Sequence, residues 1–310
     1  MDKEILKILR KQRYAIVGRH SGVKPCHWLR ESLLRNRTCY KQKFYGIESH
    51  RCLQMTTAIN HCTQNCLFCW RYQGFTETSI AEPDDPVFIL DESIKAQRVF
   101  LTGYKGDPRV DRKKWEEANE PKHIACSLTG EPTLYPRLGE FFEEAHNRGM
   151  TTFLVTNGTN PDALMNLDTP PTQLYVSVTS PNEEVYRKLN RPIIKDGWKR
   201  LQKTLEILPS IGTRTVIRHT LVKGWNMDEK FIPEYAKLIE KAEPLFVEPK
   251  AYMFVGYSRK RLSIANMPSF DEVREFARKL SEETGYYYLD ESRDSRVVLL
   301  GRKKGDTRIR

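Results

Sequence analysis

The sequence predicts an α/β fold, a partial (β/α)6, TIM-like barrel placed between an N-terminal segment and a C-terminal extension. Three observations predict it: six short β-prone runs, amphipathic helical patterns between them, and polar segments that directly follow several runs. Six runs suit a partial barrel better than a complete eight-stranded one, and 310 residues suffice for one large domain.

The alternation of the two patterns sets the expected topology. The β-prone runs span residues 53–59, 123–128, 152–156, 173–179, 214–222 and 245–254. The helical patterns span residues 138–148, 162–167, 183–189, 198–208 and 230–241. Such alternation calls for right-handed crossovers and a parallel sheet. We therefore expect a basic N-terminal segment over residues 1–52, the barrel over 53–255, and an extension that packs on the barrel over 256–310.

Composition and charge indicate a protein that contacts a polyanion. The chain is 39% hydrophobic and 29% charged, and it has no apolar run approaching the roughly 18 residues of a membrane span. Its first residues lack an export signal, so we expect a cytoplasmic location and no membrane contact. Of the 51 basic residues, 13 lie in residues 1–52 with only 4 acids, which gives this segment +9 of the total +11. This distribution favours contact with nucleic acid over a merely solubilising tail.

The spacing of three cysteines predicts an iron–sulfur cluster. Cys62, Cys66 and Cys69 form a C-x3-C-x2-C triplet directly after the first predicted strand, with Phe68 before the last cysteine. Three thiolates hold three corners of a cubane cluster and leave the fourth iron open for chemistry, whereas structural zinc normally takes four protein ligands. The triplet resembles the signature of radical S-adenosylmethionine (SAM) enzymes. Cys126, inside an apolar run, is expected to be a core thiol.

Polar groups at the ends of the other predicted strands suggest a cofactor pocket. Residues 128–132 combine a glycine, which lets the backbone approach a ligand, with a carboxylate able to accept hydrogen bonds from an ammonium group. This segment resembles the Gly-Gly-Glu motif that holds SAM, with Thr129 in place of the first glycine. One candidate in the fifth strand, an arginine, either salt-bridges a carboxylate in the barrel or lies near the cofactor. The cofactor-binding candidates are Thr129, Gly130, Glu131, Thr156, Asn157, Ser177 and Arg218.

A second set of three cysteines requires its own explanation. Cys26, Cys39 and Cys52 are spaced 13 residues apart, too far for one ligand loop but feasible for a segment that folds around a metal centre. We expect them to hold a second four-iron cluster with its own open iron. The alternative is a zinc site with a histidine as fourth ligand, for which the candidates are His20, His27 and His50.

With both cysteine sets in this order, the chain resembles the archaeal-type tRNA 4-demethylwyosine synthases of the radical SAM superfamily. The resemblance covers essentially the whole chain and extends to residues 127–133, 250–259 and 289–295. It implies a radical SAM barrel that binds SAM and two [4Fe-4S] clusters. It also implies a definite reaction, in which N1-methylguanosine at position 37 in the anticodon loop of tRNA-Phe becomes 4-demethylwyosine with two carbons of pyruvate. Electrons are expected from a separate donor such as a flavodoxin or ferredoxin.

The activation of pyruvate leaves two routes open. Lys41, beside Cys39, is the candidate for a Schiff base with the ketone, and Lys43 lies close by. Alternatively, the open iron of the second cluster chelates pyruvate directly, and Lys41 binds phosphate. Two further functions also stay open at this point: another two-cluster radical SAM RNA-modifying enzyme, such as a methylthiotransferase, and a non-enzymatic metal-binding RNA module.

Overall fold

The computed structural model describes residues 3–74 and 76–309, and its central feature is a run of six parallel strands. These strands are β3 (Cys52–Thr56), β4 (His123–Cys126), β5 (Thr151–Thr156), β6 (Gln173–Ser177), β7 (Arg214–Leu221) and β8 (Phe246–Ala251). Each pairs with the next in chain order, so the sheet curves as a partial barrel. The predicted fold class is confirmed, and each predicted run contains one of these strands or nearly all of it.

Both ends of the chain extend this sheet. The hairpin of β1 (Ala15–Val17) and β2 (Ser21–Val23) adds to β3, with antiparallel pairing. At the opposite edge, β10 (Val297–Gly301) pairs with β8, and β9 (Tyr287–Ser292) pairs with β10, again antiparallel. Residues from all three predicted segments therefore share one ten-stranded sheet. The division at residues 52 and 255 itself stays a prediction.

Eleven helices are found in the described residues, and most cover the outer face of the sheet. They are α1 (Lys3–Lys11), α2 (His27–Arg35), α3 (Tyr40–Tyr45), α4 (Pro86–Thr102), α5 (Arg112–Ala118), α6 (Leu138–Asn147), α7 (Pro161–Met165), α8 (Glu183–Leu189), α9 (Gly197–Ile207), α10 (Ile232–Ala242) and α11 (Phe270–Thr284). Their apolar sides and the outer strand faces form the largest core, in which Phe141, Phe142 and Tyr235 are fully buried. None of the described helices has the length and apolarity needed to cross a membrane.

Helix α3 lies on the inner side of the barrel. Its Tyr40, Phe44 and Tyr45 pack with Phe153 of β5 and Tyr175 of β6 in a second core cluster. This inward placement brings the residues around Cys39 into the barrel interior, facing the inner side chains of the parallel strands. The N-terminal segment is thus built into the barrel, where it supplies part of the interior.

Candidate active site

A cavity of about 440 Å3 opens inside the barrel, at the carboxyl end of its strands. Its wall is assembled from β3, β4, β7 and β8, from the start of α3, and from the loop that follows β3. All three N-terminal cysteines line it, as do Phe68 and Trp70 on either side of Cys69. The cavity is therefore lined directly by the N-terminal cysteine set and reaches the two neighbours of Cys69 from the other set.

The loop that carries Cys62, Cys66 and Cys69 is held against the loop after β4. Gly130 has a φ of +75°, and a Cβ atom there would lie 1.7 Å from the carbonyl oxygen of Ala58. The amide of Glu131 donates to the carbonyl of His61 at 2.8 Å, and the Thr56 hydroxyl donates to the carbonyl of Thr129 at 2.6 Å. Only glycine permits this close approach of the two loops. The predicted role of Gly130 in approaching a ligand stays a prediction.

Two arginines brace the cysteine loop from opposite sides, and the sequence analysis did not identify either role. Arg71 is 3% exposed, and its guanidinium donates to the Gln64 carbonyl at 2.7 Å and the Thr76 hydroxyl at 2.9 Å. Arg261 donates to the carbonyls of Leu67 and Cys69. A planar guanidinium with several donors is suited to hold an irregular loop whose carbonyls lack regular partners.

Glu131 joins the ends of β4 and β5 through its buried carboxylate. One oxygen accepts from the hydroxyls of Thr133 and Thr156, both at 2.6 Å, and from the Thr133 amide at 3.2 Å. The other accepts from the amide of Asn157 at 2.7 Å. Burial nevertheless raises the pKa of Glu131, although these donors act in the opposite direction. Because four protein donors occupy the carboxylate, its role in this structure is to position the surrounding loops.

The other cofactor-binding candidates occupy the same rim. The Asn157 side chain donates to Thr63 at 2.9 Å and lies 3.8 Å from the Cys62 sulfur, which links the third strand end to the cysteine loop. The hydroxyl of Thr129 is buried and has no hydrogen-bond partner among the described residues, so it is free to bind a ligand. Ser177 ends β6 and pairs with Arg218 on β7. Their roles in binding SAM stay predictions.

The N-terminal cysteines converge although they are far apart in sequence. Cys26 and Cys39 are the N-cap residues of α2 and α3, and Cys52 begins β3. Burial raises the pKa of all three thiols, to about 11 for Cys39, where the neighbouring Cys26 contributes. A metal bound by these thiols would remove their protons, because a metal-bound thiol is deprotonated.

The spacing of the thiols fits a cluster better than a single ion. Tetrahedral zinc–thiolate bonds of about 2.3 Å place their sulfurs about 3.8 Å apart. Among the described residues, no cysteine belongs to a group of three possible metal ligands whose donor atoms all lie within 4.8 Å of one another. A cubane cluster gives each cysteine its own iron and needs wider spacing. The described cysteines therefore lack the spacing of a preformed zinc site, and the two four-iron clusters stay a prediction.

Two of the three histidines considered as zinc ligands are engaged elsewhere. The Nδ1 of His20 lies 2.6 Å from the Thr57 carbonyl, and its Nε2 accepts from the Asp84 amide at 2.9 Å. The Nε2 of His50 lies 2.7 Å from the Glu117 carboxylate. His27 packs edge-on against Trp28. These contacts give the zinc alternative no support.

Lys41 projects from α3 into the cavity and is 7% exposed. Its ammonium nitrogen lies 4.1 Å from the ring centroid of Phe153 and 4.5 Å from that of Tyr175. No described residue accepts a hydrogen bond from it. Burial, together with the nearby Arg218 guanidinium, lowers the pKa of Lys41 to about 8. Lys43, in contrast, is half exposed and pairs with Asp290 at 2.7 Å.

Arg218 forms an ion pair inside the barrel, the first of the two alternatives that the sequence left open. Its guanidinium donates to Glu248 of β8 at 2.9 Å and 3.1 Å, and Glu248 is completely buried. Tyr40 and Tyr45 of α3 donate to the same carboxylate. This network attaches α3 to β7 and β8 and so fixes the lysine that follows Tyr40.

Glu248 and Lys250 were not singled out from the sequence, although Glu248 belongs to the ion pair inside the barrel and Lys250 lines the cavity. They lie two positions apart on β8, and a strand presents such residues on the same face. The sequence signal that could have identified them is a pair of charged residues at alternate positions of an otherwise apolar strand.

Comparison with known proteins gives this arrangement a family context. Residues 56–232 match the family model of the radical SAM superfamily, which is more than half of the chain. Residues 241–302 match the model described as wyosine base formation. The second match contains β8, β9 and β10 and therefore belongs to the part of the sheet that bears Glu248 and Lys250.

Curated relatives match along nearly the whole length. The chain is 58% identical to the S-adenosyl-L-methionine-dependent tRNA 4-demethylwyosine synthase of Pyrococcus abyssi over 99% of this chain and 91% of that protein. The chain belongs to the tRNA 4-demethylwyosine synthase family. The synthase of Methanocaldococcus jannaschii is 44% identical over 97% of this chain and 96% of that protein. These enzymes use radical SAM chemistry, so SAM and a [4Fe-4S] cluster are implied for this family member.

Solved structures agree with the assignment. A structure of TYW1 with a lysine–pyruvate adduct bound superposes with a TM-score of 0.90 at 41% identity and covers 99% of both chains. A crystal structure of archaeal TYW1 has a TM-score of 0.81 at 38% identity, with the same coverage. Family membership sets aside the methylthiotransferase-like and non-enzymatic alternatives.

Proposed function

We propose that this enzyme converts N1-methylguanosine-37 of tRNA-Phe to 4-demethylwyosine by building two carbons of pyruvate into the base as a third ring. Closing a ring across the methylated base requires a new carbon–carbon bond at an unactivated methyl group, which is chemistry suited to a radical cofactor. The expelled carboxyl carbon of pyruvate makes the overall reaction a carbon–carbon lyase and ring-forming reaction.

One observation carries the proposal: a single cavity is lined by the three N-terminal cysteines, by Lys41, and by Phe68 and Trp70, the two neighbours of Cys69. A radical generated at one wall and a small substrate activated at the other can meet there only if both walls face the same space. The cavity is within the size range of ligand pockets, and its wall includes aromatic residues such as Trp70 and Trp28. Aromatic walls are suited to receive a base that has been unstacked from an RNA loop.

The chain supplies two cluster-binding sets in this proposal. Cys62, Cys66 and Cys69 hold the cluster that binds SAM, and Cys26, Cys39 and Cys52 hold a second four-iron cluster. Bound there and reduced, this cluster together with SAM would supply the radical chemistry that takes hydrogen from the N1-methyl group. The strand-end residues from Thr129 to Glu131 and Thr156 to Asn157 shape the SAM pocket, and Ser177 lies on the same rim.

Lys41 is the residue that we assign to pyruvate. Its amine attacks the ketone carbon, and loss of water gives a Schiff base that keeps pyruvate beside the second cysteine set. The absence of a hydrogen-bond acceptor for the Lys41 ammonium in the described structure favours this nucleophilic role over phosphate binding. The lysine–pyruvate adduct in the TYW1 structure supports it, because that chain is 41% identical to this one.

The partners follow from the chemistry. The anticodon loop of tRNA-Phe supplies the methylated base, and the basic N-terminal segment is the surface that we assign to its phosphates. Reduction of the cluster needs one electron from another protein, for which a flavodoxin or ferredoxin is the expected class. We also keep the expectation of a cytoplasmic location, where the tRNA substrate is found.

The test is a product assay with isotope-labelled pyruvate. Anaerobically reconstituted enzyme, SAM, reductant and tRNA-Phe carrying N1-methylguanosine-37 are combined, and the digested nucleosides are analysed by mass. We expect a tricyclic nucleoside that contains two labelled carbons and forms only with pyruvate. Lys41→Ala abolishes the product and retains SAM cleavage, whereas the control Lys43→Ala, at a half-exposed position, retains the product. Product without label, or a Lys41→Ala variant with normal yield, contradicts the proposal.

A further inference from the structure

The cavity contains a second inward-facing lysine whose charge has no carboxylate partner. Lys250 lies near the carboxyl end of β8, opposite Thr220 of β7, and lines the same cavity as Lys41. Its ammonium nitrogen donates to the backbone carbonyl of Ser295 and lies 5.2 Å from the ring centroid of Tyr40. Among the described residues, no carboxylate oxygen lies within 4.0 Å of it.

The charged residues Arg218 of β7 and Glu248 of β8, in contrast, form an ion pair with each other. The two tyrosines of α3 occupy the remaining positions around Glu248. Of the cavity cations, Arg218 is therefore bonded to a carboxylate, whereas Lys250 contacts a backbone carbonyl and an aromatic face. Burial, with the Arg218 guanidinium nearby, lowers the pKa of Lys250 to about 8, although Cys39 and Glu248 act in the opposite direction.

Pyruvate brings the charge that is missing. Its carboxylate is directly bonded to the ketone carbon that Lys41 attacks, so the anion enters the cavity together with the ketone. An anion that leaves water for an enclosed site needs a cation or hydrogen-bond donors to offset the loss of hydration. A lysine that lines the same cavity and has no carboxylate partner meets that need, whereas Arg218 is already paired with Glu248.

We propose that Lys250 binds the carboxylate of the 2-oxo acid and is the positioning residue that orients its ketone towards Lys41. This inference rests on the proposed function, since it concerns the substrate that Lys41 activates. It assigns the two buried lysines different tasks: Lys41 forms the covalent bond, and Lys250 recognises the acid. Lys250 also makes the site selective for 2-oxo acids over neutral ketones.

The experiment measures formation of the lysine adduct directly. Anaerobically reconstituted holoenzyme is incubated with increasing pyruvate and sodium cyanoborohydride, and the reduced adduct is quantified by intact mass and located by peptide mapping. The parallel probe is methyl pyruvate, which keeps the ketone but has no carboxylate charge. Lys250→Met removes the charge, Lys250→Arg keeps it, and Lys223→Met changes an exposed lysine on another face as the matched control.

We expect Lys250→Met to raise the pyruvate concentration for half-maximal trapping about 10- to 100-fold, the usual effect of losing a hydrogen bond between charged groups. Trapping of methyl pyruvate stays the same as in the wild type, the adduct maps to Lys41, and Lys250→Arg recovers part of the pyruvate affinity. Lys223→Met behaves as the wild type with both probes.

Three results would overturn the inference. An unchanged pyruvate dependence in Lys250→Met shows that the charge does not bind the acid. An equal loss with both probes shows a structural role for Lys250, and an adduct on Lys250 itself shows that it is the nucleophile. If the wild type forms no adduct at saturating pyruvate, the Schiff-base step of the proposed function is wrong, and the role of Lys250 is wrong with it. If the wild type forms the adduct and only the prediction for Lys250→Met fails, the role of Lys250 alone is wrong.

Discussion

At the scale of single residues, the chemistry-bearing side chains differ in how visible they are in sequence. The cysteine triplet was recognisable because a single loop carries all its members, and Lys41 because it lies beside Cys39. Arg261 and Glu248 were not recognisable, since their partners lie far away in sequence. Arg261, for example, binds the carbonyl of Leu67, a residue 194 positions away. Arg71 was not recognisable because its nearby partners are a backbone carbonyl and a hydroxyl, which give no sequence signal. Such contacts become apparent only when the strands and loops are assembled.

Replacement of Glu131 tests whether it positions the rim of the pocket. In Glu131→Gln, an NH2 group replaces one carboxylate oxygen. This group cannot accept a hydrogen bond from a donor such as the Asn157 amide, so at least one buried hydrogen bond is lost. We expect the free energy of unfolding to fall by about 1–3 kcal/mol and SAM binding to weaken, as measured by denaturant titration and equilibrium dialysis. The control is Glu140→Gln, at an exposed carboxylate that pairs with Arg137. If Glu131→Gln is as stable as the control, the positioning role is wrong.

At the scale of elements, the parallel strands and the helices between them were predictable because each has a clear apolar period. The five predicted helices correspond to α6–α10, with bounds that differ by up to two residues. No helix was predicted between the runs at residues 53–59 and 123–128, but α4 and α5 lie there. The acidic, proline-containing residues 82–86 lead into α4, where Asp85 accepts from the Val87 and Phe88 amides as N-cap. The short edge strands gave no signal, since three residues of β1 or β2 are too few for a period.

The loop that carries Cys62, Cys66 and Cys69 depends on the two arginines that bind its carbonyl groups. Arg71→Met removes the buried donors to the Gln64 carbonyl and the Thr76 hydroxyl and leaves these groups unsatisfied. We expect the cluster at Cys62, Cys66 and Cys69 to be lost about tenfold faster to a chelator, because hydrogen bonds to a charged group are worth about 1.5–3 kcal/mol. Absorbance of the iron–sulfur chromophore follows the loss. Arg200→Met, at an exposed ion pair, serves as control, and equal rates for the two variants would contradict the bracing role.

At the scale of the whole molecule, the basic N-terminal segment lies beside the cavity mouth. The apolar side of α1 packs near Ile59 and Trp70, and Trp70 also lines the cavity. The other side of α1 exposes Lys7, Arg10 and Lys11. A tRNA whose base enters the cavity therefore brings its phosphates within reach of this helix, which agrees with the charge distribution read from the sequence.

Salt dependence measures this contact. We expect Lys7→Gln/Arg10→Gln/Lys11→Gln to weaken tRNA binding and to make the slope of log affinity against log salt about two units less steep, because each phosphate on a single strand contributes about 0.7. Filter binding over a range of potassium chloride gives the slope. The control Lys199→Gln/Arg200→Gln/Lys203→Gln removes the same charges from α9 on the outer face of the barrel. Equal slopes for the two triple variants would show that α1 does not contact the tRNA phosphates.

The central claim is that two iron–sulfur clusters face one cavity, and metal content tests it most directly. Iron and acid-labile sulfide are measured after anaerobic reconstitution in the wild type and in the Cys26→Ala/Cys39→Ala/Cys52→Ala variant. We expect about eight irons per chain in the wild type and about four in the variant, which retains SAM cleavage through the other cluster. About four irons in both proteins, or zinc bound by the N-terminal cysteines, would contradict the account.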